Sequence, residues 1–224
     1  MRVIAGRYRR RQLKAPAWEG LRPTSDRLKQ TLFDVLAARV PGARVLDGFA
    51  GSGALGIEAL SRGAADVVFV DDDARAIALV AANLAHCGVT SGYVMIRDDF
   101  QGGLRQLPVG ARFDLILLDP PYETDVADLL ATAAGRLAVD GTLVLEHATR
   151  RPAPERVGRL ACLRRLVAGD SGLAFYRETP AGSGDAVLDA GDRRESGAGD
   201  TGMPASDRTP GDRITASEDT TEDS

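Results

Sequence analysis

Cysteine is scarce in this chain: Cys87 and Cys162 are the only two among 224 residues, and they form no CxxC pair. A disulfide framework and a zinc ribbon are therefore excluded. Histidine is as scarce. Neither His86 nor His147 has a serine or cysteine partner at a readable spacing, so no nucleophilic dyad is expected and structural roles are. Aromatic residues make up 5% of the chain, and the single tryptophan, Trp18, reads as a packing anchor. No unbroken apolar run approaches the roughly 18 residues a membrane span needs. The N-terminus sets a short apolar stretch ahead of its arginines, the reverse of a secretory signal. A soluble, cytoplasmic protein without metal is the expectation, and no internal repeat is visible.

What is present is an apolar content of 44%, enough for one sizeable core, and an uneven distribution of charge. Residues 1–30 balance at +7, residues 178–224 at −8, and the middle at −3. A basic cluster at one end suits a polyanion-binding surface. From Glu178 onward only Val187, Leu188, Met203 and Ile214 are large apolar residues. Such a stretch buries too little to offset a backbone ordering cost of about 1–2 kcal/mol per residue. The expected division is a basic N-terminal β element and helix over 1–40, a main domain over 41–177 and a disordered acidic tail over 178–224.

Within residues 1–23, Arg2–Ala5 and Gln12–Ala15 flank a basic turn, and a helix is predicted over about 25–39, capped by Thr24 or Ser25. From residue 43 to 147 strands and helices alternate. Strands are predicted at 44–47, 67–70, 93–96, 114–118 and 143–146, and helices at 54–61, 74–86 and 125–137. Segments 161–167 and 173–176 meet at Gly169-Asp170, which suits an antiparallel hairpin. The fold class is α/β: a mostly parallel twisted sheet, Rossmann-like, ending in that hairpin. Ligands bind such sheets beyond the C-terminal strand ends.

Two motifs fall at those ends. The first is Asp47-Gly48-Phe49-Ala50-Gly51-Ser52-Gly53-Ala54-Leu55-Gly56, a GxGxxG turn between strand and helix. A dinucleotide site uses the same glycines but seats a pyrophosphate on the helix N-terminus, where Asp47 would repel it. S-adenosylmethionine carries no phosphate and brings a sulfonium and an ammonium, which favour a nearby carboxylate. Asp71, followed by Asp72 and Asp73, can accept hydrogen bonds from ribose hydroxyls, and Asp98-Asp99 can edge an adenine pocket.

The second motif is Asp119-Pro120-Pro121-Tyr122 after a buried strand. The exocyclic amine of a base is a poor nucleophile because its lone pair is delocalised into the ring. Two acceptors, the Asp119 carboxylate and the Pro120 carbonyl, can bind its two hydrogens, align the nitrogen and stabilise the charge that develops on it. Tyr122 can stack on the base. Neither a metal nor a covalent nucleophile is needed.

Together with Arg2-Val3-Ile4-Ala5-Gly6, Arg22-Pro23-Thr24-Ser25-Asp26-Arg27 and the run Leu46 to Ala64, these motifs resemble the RsmD-like bacterial 16S ribosomal RNA guanine-N2 methyltransferases. The resemblance covers roughly residues 1–177. It implies a class I methyltransferase fold that uses S-adenosyl-L-methionine to methylate N2 of a guanine, numbered 966 in the family's target, within the small ribosomal subunit. It carries the cofactor site to Asp47, Ala50, Gly51, Gly53, Asp71, Asp72 and Asp99, and the catalytic turn to Asp119, Pro120 and Tyr122. The RNA contacts it implies are Arg7, Arg9, Arg10, Arg11, Lys14 and Arg22, with pairing to acids near the site as the other reading of Arg22 and Arg27. Gly48 replaces the family's usual larger apolar residue, which is expected to loosen the turn. Asp71 stands where a glutamate is common, and the acidic tail lies outside the family pattern. A monomer is expected. The competing readings are a DNA adenine-N6 or cytosine-N4 methyltransferase, a non-catalytic rRNA-binding assembly factor and a nicotinamide dehydrogenase.

Overall fold

The computed structural model describes residues 1–16, 26–121 and 123–179. Trp18, Arg22, the expected N-cap at Thr24 or Ser25, Tyr122 and the tail from residue 180 lie outside the described residues. Apolar runs closed by aspartate or glycine become the strands. These are β1 (Arg44–Asp47), β2 (Asp66–Asp71), β3 (Tyr93–Arg97), β4 (Phe113–Leu118), β5 (Leu137–Ala148), β6 (Arg156–Val157), β7 (Leu160–Ala168) and β8 (Ser171–Glu178). They form one sheet in the order β3-β2-β1-β4-β5-β8-β7-β6. The first five are parallel, and β8 runs antiparallel to β5 and β7. Gly169, with φ of 64°, makes the β7–β8 turn.

Among the described residues, five helices flank the sheet: α1 (Asp26–Val35), α2 (Ala54–Ser61), α3 (Ala74–Cys87), α4 (Phe100–Gln106) and α5 (Val126–Ala134). The alternation of β4 separates two cores. Leu115 and Leu117 join Leu32 and Phe33 of α1, Ile57 of α2 and Leu84 of α3. Ile116 and Leu118 join Phe100 and Leu104 of α4 and Leu129 and Leu130 of α5. Among the described residues, no helix is long and apolar enough to cross a membrane.

The N-terminal segment folds back on itself through one bridge, Arg2 to Gln12, and buries Val3 and Leu13 in the first core. The predicted helix over 25–39 is shorter, because beyond Val35 its bonds tighten: Arg39 N–H donates to Leu36 O at 2.7 Å. The predicted helix over 125–137 stops at Ala134, and β5 starts at Leu137, much earlier than residue 143.

Helix α4 is absent from the sequence reading, since Gly102 and Gly103 argue against a helix. Tertiary packing explains them. A Cβ on Gly102 would collide with the Asp98 carboxylate, and one on Gly103 would come within 2.6 Å of Val70.

Candidate active site

The strand order reverses between β1 and β4, and in open α/β sheets ligands bind in the crevice beyond that reversal. The chain knits the two strand ends together there. Gly48 N–H donates to Leu117 O (2.9 Å), so the turn after β1 lies directly beside the end of β4, from which Asp119 and Pro120 emerge half-buried. Ala50 N–H donates to Val70 O (3.0 Å), tying the same turn to β2. Backbone pairing alone therefore brings both motifs to one place.

Side chains then fix the turn. Gly51 and Gly53 take φ of 53° and 76°, conformations only glycine adopts readily. The Asp71 carboxylate accepts Gly51 N–H at 2.8 Å and Asp73 N–H at 3.0 Å. Asp47, 2% exposed, accepts Gly56 N–H at 2.9 Å and so caps the first turn of α2, whose N-cap, Gly53, has no side chain to do so. The sequence reading puts Asp47 near the donor; the structure adds that its carboxyl is buried and holds the helix backbone. Burial pushes its carboxyl from 3.8 up to about 7, against the downward pull of the Gly56 N–H and with a further push from Asp71. Burial also raises the Asp71 carboxyl.

Gly48 does not leave a void. A Cβ there would lie 2.7 Å from both the Phe100 ring and the Leu118 side chain, so those groups occupy the space a larger residue would fill. Phe100 in turn stacks on Phe49, with ring centroids 5.6 Å apart. Of the other acids, Asp72 is exposed, Asp73 caps α3, and Asp99 caps α4 by accepting Gly102 N–H at 2.6 Å.

The basic turn lies elsewhere. Arg7 N–H donates to Ser61 O (2.7 Å), and the Arg11 guanidinium donates to His86 O (3.0 Å). Ser61 ends α2, whereas the glycine turn precedes it, and eight residues at a rise of about 1.5 Å separate them by about 12 Å. Arg7, Arg9, Arg10 and Arg11 are all exposed there, a helix length from the turn. Lys14, at the other end of the arm, stays near it: the Lys14 N–H donates to Asn83 Oδ1 at 2.8 Å.

Sequence reasoning missed three buried polar residues, Lys29, Glu58 and Asn83. The signal for Asn83 was a lone polar residue on the apolar stripe of α3, among Val80, Leu84 and Cys87.

The family described as Conserved hypothetical protein 95 matches residues 1–177. YlbH of Bacillus subtilis is 40% identical over 185 residues, covering 80% of this chain and 99% of that one. The ribosomal RNA small subunit methyltransferase D of Escherichia coli K12 is 33% identical over 189 residues, covering 83% and 94%. The solved structure of the Escherichia coli protein yhhF superposes with a TM-score of 0.66 at 32% identity, over 80% of this chain and 97% of that one. The architecture is that of the class I methyltransferases.

Proposed function

The chain belongs to the Conserved hypothetical protein 95 family, the RsmD-like methyltransferases, and from that membership we propose that it methylates the exocyclic N2 amine of a guanine in 16S ribosomal RNA. The methyl donor is S-adenosyl-L-methionine, and the target corresponds to the guanine numbered 966. One observation carries the reading: Gly48 bonded to Leu117 sets the acceptor-rich Asp119-Pro120 turn against a glycine turn whose N–H groups already serve carboxylates. The Gly51 and Gly56 N–H groups, which a pyrophosphate would need, are held by Asp71 and Asp47. That donor set fits a cationic nucleoside and opposes a dinucleotide.

When bound, S-adenosylmethionine supplies an electrophilic methyl group on a sulfonium. The residues of the chain do the rest. Each Asp71 oxygen keeps a further lone pair for a ribose hydroxyl. Asp119 and the Pro120 carbonyl hold the two hydrogens of the base amine, present its nitrogen and stabilise the positive charge that grows on it. A proton then passes to Asp119 or to water. Tyr122 provides the ring on which the base stacks, and the arginines of the N-terminal turn contact phosphates away from the reacting base. Work on ribosomal RNA places the protein in the cytoplasm.

Mass spectrometry of rRNA from cells lacking this chain tests the proposal. Loss of N2-methylguanosine at one 16S position, restored by the intact gene, is the expected result. An unchanged rRNA with a missing DNA mark would overturn it in favour of a DNA amino-methyltransferase.

A pH dependence follows from Asp47. Because its folded carboxyl is raised to about 7, the folded protein retains a proton that the unfolded chain releases near 3.8. The stability this group contributes is full below about pH 4 and lost as pH rises toward about 7. A cationic ligand nearby favours the carboxylate, so donor binding expels that proton. Calorimetric affinity for S-adenosylmethionine is expected to rise by up to about tenfold per pH unit below about pH 7 and to level off above. Asp47→Asn abolishes the slope. A flat profile in the parent protein would show that the donor does not sense Asp47.

A further inference from the structure

The Asn83 side chain is fully buried, and three of its four hydrogen-bonding directions, both N–H groups among them, are used by two segments far apart in sequence. Its Oδ1 accepts Lys14 N–H (2.8 Å). Its Nδ2 donates to Lys14 O (3.1 Å) and to Ser52 O (2.9 Å). The amide therefore pairs with Lys14 as a neighbouring strand would, and its remaining N–H reaches the carbonyl in the middle of the glycine turn. Ser52 Oγ also faces Met1 Sδ at 3.6 Å, so the arm touches the turn a second time.

The mechanical consequence is specific. Ser52 lies between two glycines with positive φ, a stretch whose peptide planes rotate at little steric cost. Asp71 fixes the plane on the Gly51 side through its N–H, and Asn83 fixes the far side through the Ser52 carbonyl. The same plane keeps only a bond internal to the turn, Gly53 N–H to Ala50 O (2.7 Å), so without the Asn83 anchor the turn is tied to the domain on one side and part of its ordering cost appears in the affinity. We propose that Asn83 is a positioning residue that pre-orders the donor-binding turn and links it to the N-terminal arm. This rests on the methyltransferase reading above. The same amide holds the end of the arm whose exposed arginines contact RNA in that reading, so donor affinity and RNA affinity share one buried side chain.

The test compares Asn83→Ala and Asn83→Ser with Leu84→Ala, a buried neighbour on the same helix with no hydrogen bond to the turn, all in the full chain. Thermal melting, calorimetric Kd for S-adenosylmethionine, and kcat and KM on 16S rRNA are measured for each. Leu84→Ala lowers Tm and leaves the donor Kd within about twofold. Asn83→Ala raises the donor Kd about tenfold, the scale of a lost hydrogen bond, and raises KM for RNA, with kcat at saturating donor within about threefold. Asn83→Ser falls between the two. A donor Kd unchanged in both Asn83 variants overturns the proposal, whatever happens to Tm. Failure of both to fold while Leu84→Ala stays soluble overturns it too, since Asn83 would then hold the fold and not the turn. If the parent protein binds no S-adenosylmethionine, the methyltransferase reading itself fails, a result distinct from either.

Discussion

Asp119→Ala is expected to lower kcat on 16S rRNA by about a thousandfold while leaving the Kd for S-adenosylmethionine and for RNA within about threefold. Loss of one preorganised group aimed at developing charge costs about 10²–10³ in kcat, and Asp119 does two jobs in the proposed mechanism. It fixes the orientation of the amine, and it stabilises the cation that forms as nitrogen attacks. Neither interaction exists when the donor binds alone, and phosphate contacts elsewhere carry the RNA affinity. Asp119→Asn keeps one acceptor but turns NH2 toward an amine that offers only donors. Its loss is expected near a hundredfold. Single-turnover assays at saturating donor give the comparison. Full activity in the alanine variant would remove the carboxylate from the chemistry and leave the Asp-Pro-Pro turn a mere strand terminus. Retention of a cellular phenotype by that variant, with transfer lost, would favour an assembly role over catalysis.

The site's location was legible in sequence because it depends on local patterns. Val67–Val70 and Leu115–Leu118 read as strands from their apolar runs, and the residues that end them, Asp71 and Asp119, had to fall at strand ends. Helix α4 was not legible. Gly102 makes room for the Asp98 carboxylate one turn before it and Gly103 for Val70 of β2, and the second demand is set by tertiary packing. The helix-capping role of Asp47 was not legible for a related reason. Its partner, Gly56 N–H, belongs to a helix whose own N-cap lacks a side chain, and composition does not show which way a carboxylate turns. The sequence assigned the basic residues near the N-terminus to RNA and the acids at the strand ends to the cofactor, without showing how far apart they lie. The arm runs along α2 and sets its arginines at the helix's far end, so an RNA touching both must follow the flank of α2. Lys29, Glu58 and Asn83 each pair across 27 to 69 residues, so their partners were not legible, although the polar break in the apolar stripe of α3 marked Asn83 itself.

Glu58→Ala is expected to be the most destabilising substitution in the fold. Its fully buried carboxylate accepts Ile4 N–H (2.7 Å), Ala5 N–H (3.0 Å) and Arg62 Nε–H (2.8 Å), and faces Lys29 Nζ at 3.5 Å. Lys29, also fully buried, donates to Arg2 O at 2.6 Å. Burial lowers the Lys29 ammonium from its ordinary value, with Glu58 the main opposing influence. Removing the carboxylate leaves an ammonium buried without its counter-charge and two arm N–H groups without an acceptor. Breaking a buried pair from one side costs about 3–5 kcal/mol. At about 2–4 °C per kcal/mol for a domain of this size, Tm falls by about 6–20 °C. Lys29→Met in the same background recovers part of that loss, because the stranded charge is gone, but not the part due to Ile4 and Ala5. Comparing the two variants therefore divides the effect between charge burial and arm attachment. Proteolysis of Glu58→Ala below its Tm is expected to start within residues 1–16, since the Ile4 and Ala5 bonds hold the arm to the middle of α2 and leave only the Ser61 contacts at its end. A Tm within about 2 °C of the parent would mean that the Glu58 carboxylate is dispensable and that the arm is held by the packing of Val3 and Leu13 and by its bonds to Ser61, His86 and Asn83.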